Sequence, residues 1–228
     1  MPAVVACERR YVTTEFEARA RPDGSRVIAG YAAKFDRKSQ NLGGFVERIR
    51  AGAFAHTIGE ADIRALFNHD PNLVLGRNRA GTLRLHEDEV GLAYEIDLPR
   101  TTAAADLFES MQRGDVNQSS FGFKVIDDEW GLDEDDFPVR TLVEVKLYDV
   151  SPVTFPAYLD TEANVVRAAL GSLARSRDLS LDDLVAVAGR GELRSLLALA
   201  APARPGAAPS SLLRRRADVL GRRVAPLP

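Results

Sequence analysis

The sequence predicts a mainly β protein of the α+β class, with a helical and partly disordered extension at its C-terminal end. Three observations carry this reading. Apolar and polar residues alternate in short segments through the first two thirds of the chain. Turn signals such as Arg21-Pro22-Asp23-Gly24 and Asp70-Pro71-Asn72 separate those segments. After about residue 160 the composition shifts to Ala, Leu and Arg.

Taken in order, residues 11–20 (YVTTEFEARA) and 26–35 (RVIAGYAAKF) read as a hairpin about the first turn. Residues 39–49 place a Gly-Gly loop before a further strand, and 51–61 suit a short helix. Residues 63–69 (IRALFNH) form a short apolar strand that ends at Asp70-Pro71-Asn72. The meander continues to residue 98. Residues 101–115 then carry Ala105, Leu107, Phe108 and Met111 at helical spacing, between a Thr start and the stop at Gly114. A strand follows from about 119 to 126, then an acidic loop (127–138) read as a solvated hairpin connection, then a strand over 140–150. The EF-hand spacing is absent from that loop. Two short helices are expected over 178–187 and 192–200, then an Ala/Pro linker (201–211) and a basic tail (211–224).

Composition excludes several functions. The formal net charge is −3, which gives no global reason to expect nucleic-acid binding. No run of 18 apolar residues exists, so no membrane span is expected, and no signal peptide is read at the start. The single cysteine, Cys7, suits a reducing compartment. Cys7 and the histidines His56, His69 and His86 match no metal-ligand spacing. GxGxxG, P-loop and HExxH motifs are missing, so neither a metal nor a cofactor is called for.

The stretch VNQSSFGFKV (116–125) puts small and polar residues where a sheet favours bulk. Alternation sends Ser119, Phe121 and Phe123 to one face and Ser120, Gly122 and Lys124 to the other. The aromatic face belongs in a core. Ser120 shares its face with Gly122, which leaves room for a substrate backbone, so Ser120 is the better nucleophile.

A serine nucleophile needs a base and a group that orients it. His69 is the best-placed histidine, because it ends an apolar strand just before a turn. His56 lies in the small helix and His86 among acidic residues. The orienting group should be a carboxylate or a second histidine, and strict alternation over 140–150 puts Glu144 on a mixed face. It puts Asp149 on the apolar face of Val143, Val145 and Leu147, so Glu144 is preferred. A Ser–Lys dyad is the rival chemistry. Lys124 would lie about 13 Å from Ser120 along the strand, too far for proton transfer, whereas Lys146 stays open.

Taken together these residues resemble the prohead (capsid maturation) proteases of tailed phages, of the HK97 type. The resemblance runs from about Tyr31 to Tyr158, through GYAAKFD, FVERIRAGAF, FNHDPNLVLGR, GDVNQSSFGF and VEVKLYDVSPVTFPAY. It places the nucleophile on Ser120, directly before Phe-Gly-Phe, and the base on His69. That family is similar to the herpesvirus assemblins, whose triad is Ser-His-His. On the strand of their second histidine this chain presents Glu144. Where the assemblins carry an arginine pair, it reads Ser151-Pro152-Val153, so the oxyanion donors stay open between a backbone N–H and an arginine-held water.

The resemblance implies a herpesvirus-protease-like β-barrel surrounded by helices. With the change of composition after about residue 160, the expected organisation is a protease domain over 1–160, a helical extension over 161–200 and a flexible linker and basic tail over 201–228. The resemblance further implies a serine endopeptidase that cleaves scaffold or the delta segment of the major capsid protein inside the procapsid, in the host cytoplasm, and then cleaves itself. Self-association is expected by analogy with the assemblins; no membrane or specific nucleic-acid partner is. The rival readings are an inactive assembly factor on the same fold and a cellular serine peptidase unconnected with capsids.

Overall fold

A computed structural model of the chain describes residues 7–14, 16–155 and 162–200. The strands are β1 (Glu8–Thr13), β2 (Glu17–Ala20), β3 (Arg26–Lys34), β4 (Val46–Ile49), β5 (Arg64–Phe67), β6 (Asp70–Arg77), β7 (Leu83–Glu87), β8 (Gly91–Asp97), β9 (Gln118–Leu132) and β10 (Pro138–Val153). The helices are α1 (Ala55–Glu60), α2 (Thr102–Gln112), α3 (Glu162–Arg177), α4 (Leu181–Gly189) and α5 (Leu193–Ala200). The mainly β class with added helices is therefore observed.

The strands lie in two sheets. One runs β1-β9-β10-β5-β6, with β4 pairing β10 beside β5; the other runs β2-β3-β8-β7. No ladder among the described residues joins the two into a closed cylinder, so the barrel implied by the resemblance is corrected to two open sheets. Their apolar faces meet in one core. Ile28 of β3 and Tyr94 and Ile96 of β8 pack with Phe121 and Phe123 of β9 and Val145, Leu147 and Val150 of β10. α2 closes this core with Ala104, Leu107, Phe108 and Met111, and the Thr101 hydroxyl caps its start by accepting from the Ala104 N–H.

Several element boundaries differ from the sequence reading. The segment 11–20 splits: its first half belongs to β1, which pairs with β9, and only β2 forms the hairpin with β3. The acidic segment is half strand, because β9 runs to Leu132 and only 133–137 form the connection. α3 is a helix that the sequence reading did not delimit. With α4 and α5 it builds a second core, where Leu170, Leu173, Leu184, Leu193 and Leu197 enclose Phe45 against Trp130. The linker and basic tail lie outside the described residues, as does the boundary drawn at residue 160.

Five charged side chains hold β1 to the sheet. Arg140 of β10 is fully buried. Its Nε donates to Asp128 Oδ2 at 2.6 Å, and its Nη1 donates to Glu47 Oε2 at 3.0 Å and Glu8 Oε2 at 3.1 Å. Arg10 of β1 reaches Glu47 Oε1 through its Nε at 2.7 Å. Buried charges persist when each is paired, and here the pairing ties β1, β4, β9 and β10 together.

Candidate active site

The face of β9 opposite Phe121 and Phe123 carries Ser120 and Gly122. On that face Ser120 pairs in register with Ser151 of β10, and Gly122 with Asp149. β5 lies parallel on the far side of β10 and delivers the turn that holds His69.

His69 is positioned by a two-residue hairpin. Phe67 pairs with Asp70, so Asn68 and His69 form the loop, with φ of 54° and 57°. Two left-handed residues in a two-residue loop match the turn whose twist suits antiparallel strands. The turn thus comes two residues earlier than the Asp70-Pro71-Asn72 signal suggests, and Asp70 opens β6. Left-handed φ is costly outside glycine, and asparagine tolerates it better than most residues. The turn is clamped to the end of β10. The Asn68 N–H donates to the Pro152 carbonyl at 3.0 Å, and Asn68 Oδ1 accepts from the Thr154 N–H at 2.9 Å.

From this turn the imidazole bridges two strands. Nδ1 lies 2.5 Å from Asp149 Oδ2, and Nε2 lies 2.6 Å from Ser120 Oγ. A carboxylate only accepts, so Nδ1 carries the proton and Nε2 presents its lone pair to the serine hydroxyl. That tautomer is the one a general base needs. The site is enclosed: Ser120 is 1% exposed. Its Oγ also stands 2.9 Å from the Arg10 carbonyl of β1. One hydroxyl proton serves one acceptor at a time, so attack requires it on His69 rather than on Arg10.

Glu144 does not meet His69. Its side chain is 41% exposed and lies 3.6 Å from His56 Nδ1. The expectation that Glu144 orients His69 is corrected to Asp149. The physical reason is a β-bulge. Leu147 and Val150 both enter the core although they are three residues apart, and the β9–β10 register shifts between Leu147 and Asp149. The bulge inverts the alternation, so Asp149 leaves the apolar face and joins Ser151 on the side of Ser120.

Other expectations resolve alongside. Ser119 is fully buried and bonds the Tyr94 hydroxyl at 3.1 Å, and burial raises the Tyr94 hydroxyl. His56 is exposed beside Glu60, and His86 sits exposed on β7 in the other sheet. Lys124 pairs in register with Lys146, whose ammonium lies 5.9 Å over the Tyr148 ring. The space beside Gly122 is not open. A Cβ there would collide with Asp149 Oδ1. The nearby Cys7 thiol is raised by burial first and by Asp149 second. Sequence reasoning missed three polar groups at the site: Ser151, Asn68 and the Arg10 carbonyl. The dipeptide Asn68-His69 between two strands is the signal that could have exposed the turn.

A search of curated proteins returns no match. Among solved structures, the bacteriophage T4 capsid assembly protease is similar at 8% identity and a TM-score of 0.39, over 64% of this chain and 98% of that one. The family model described as caudovirus prohead serine protease matches residues 14–175. The chain belongs to the caudovirus prohead serine protease family.

Proposed function

We propose that this serine protease matures phage heads by cleaving scaffold or the delta segment of the major capsid protein inside the assembling procapsid, and that it then cleaves itself. Ser120 is the nucleophile, His69 the general base and Asp149 the orienting carboxylate. One observation carries the reading: an unbroken hydrogen-bonded row from Ser120 Oγ through both ring nitrogens of His69 to Asp149 Oδ2.

The chemistry follows from that row. Ser120 Oγ attacks the scissile carbonyl while its proton passes to His69 Nε2. Asp149 steadies the imidazolium, and His69 returns the proton to the leaving amine. Water then repeats the sequence to release the acyl group. Confinement with the substrate in a shell raises effective concentration, so modest intrinsic activity suffices.

The test is co-expression with the major capsid protein of the same phage, read as intact masses of both chains. Wild type should shorten the capsid protein and itself, and Ser120→Ala should leave both at full length. Equal processing by both versions rejects the assignment.

A further inference from the structure

We propose that Ser151 is a positioning residue of the protease, acting by locking the Asp149 carboxylate onto His69. This rests on the triad reading above. The terminal torsion of an aspartate is broad and roughly two-fold, so an unpinned carboxylate swings between orientations. Asp149 is pinned on both sides. Its Oδ1 sits against Gly122, where no Cβ fits. Its Oδ2 accepts from the Ser151 hydroxyl at 2.8 Å as well as facing His69 Nδ1.

Ser151 is suited to this task. It is fully buried, and its hydroxyl donates to Asp149. Buried hydroxyls are nearly always bonded, and a donor to a carboxylate makes one of the stronger bonds. Ser151 and Asp149 stand two apart on β10 beyond the bulge, so they share the face of Ser120. Ser151 is the register partner of Ser120 itself. The hydroxyl adds little packing that alanine would lose. Its consequence is orientational: with the donor gone, Oδ2 is held by His69 alone, and the ring loses the fixed partner that sets its tautomer.

The experiment compares wild type, Ser151→Ala, Ser151→Thr and Ser151→Cys in the full chain. A fluorophosphonate probe reports the reactivity of Ser120, which forms a P–O bond as fluoride leaves and its proton passes to His69. A downfield proton spectrum reports the His69 Nδ1–H. We expect Ser151→Ala to label about 10- to 100-fold more slowly at saturating probe, as for a small misplacement of a catalytic group. The half-saturating probe concentration should stay unchanged. Ser151→Thr, which keeps the hydroxyl, should recover most of the rate and the wild-type resonance. Ser151→Cys, nearly isosteric but a weak donor, should behave like Ser151→Ala and decides the matter should the alanine variant melt. Wild-type labelling by both donor-poor variants, with an unmoved Nδ1–H resonance, overturns the proposal. Should wild type itself fail to label, the triad reading falls, and the resonance comparison still decides what Ser151 does to the His69–Asp149 bond.

Discussion

Gly122 and Asp149 face each other across the β9–β10 ladder so closely that a methyl group on Gly122 would overlap the Asp149 carboxylate. The glycine of the Phe-Gly-Phe segment therefore makes room for the Asp149 carboxylate. Gly122→Ala should displace Asp149 from His69. We expect activity to fall by about 10²-fold and stability by about 1–3 kcal/mol, the range for overpacking. Steady-state kinetics beside a thermal melt separates the two. An alanine variant with full activity would mean the carboxylate has slack.

The two candidate carboxylates can be told apart directly. Asp149→Asn removes the carboxylate charge and offers the ring an N–H donor that favours the wrong tautomer, and should lower turnover by up to about 10⁴-fold, as the same change does in a comparable triad. Glu144→Gln alters an exposed contact with His56 and should stay within about 2-fold, since exposed pairs contribute little. The reverse ranking, measured on the same substrate, would restore Glu144 to the site.

These two residues also show how far the sequence could be read. The face assignment of Ser119 and Ser120 holds, because β9 is regular from Ser119 to Phe123 and its aromatic pair fixes the inward side. α2 was legible from its Thr start, apolar spacing and Gly stop. The carboxylate was not. Alternation along 140–150 assumes an unbroken strand, and no glycine or proline at Leu147, Tyr148 or Asp149 marks the bulge before Asp149. The two-sheet arrangement was hidden for a similar reason. Residues 11–20 read as one strand, and only long-range pairing shows that β1 leaves the hairpin to join β9.

The His69 turn offers a further check. Asn68 supplies both a tolerant left-handed residue and the carboxamide that Thr154 caps. Asn68→Val keeps the chain length but opposes the backbone and removes the cap. It should cost about 1–3 kcal/mol, the scale of left-handed strain in a non-glycine residue, and should lower turnover by shifting His69. Asn68→Gly relieves the strain and loses only the cap, so it should retain more stability than valine does. Equal melting temperatures for the two variants would show that the turn is set elsewhere.

The charge cluster under β1 makes the protein's stability pH-dependent. Burial by itself pushes the Glu47 carboxyl up, but Arg10 and Arg140 outweigh it and hold the group below the ordinary glutamate value of 4.5. A carboxyl depressed in the folded state contributes stability that is complete above its unfolded value. That stability is lost as pH falls through the lower folded value. Acid should therefore weaken the native state progressively from about pH 4.5 downward. Glu47→Gln removes one partner from buried arginines and should cost about 3–5 kcal/mol at neutral pH. It also removes the titrating group, so its stability should fall less steeply than that of wild type over the same acidic range. Urea unfolding of both proteins between about pH 7 and pH 3.5 tests both parts. Parallel curves at all pH values would show that another group dominates acid unfolding.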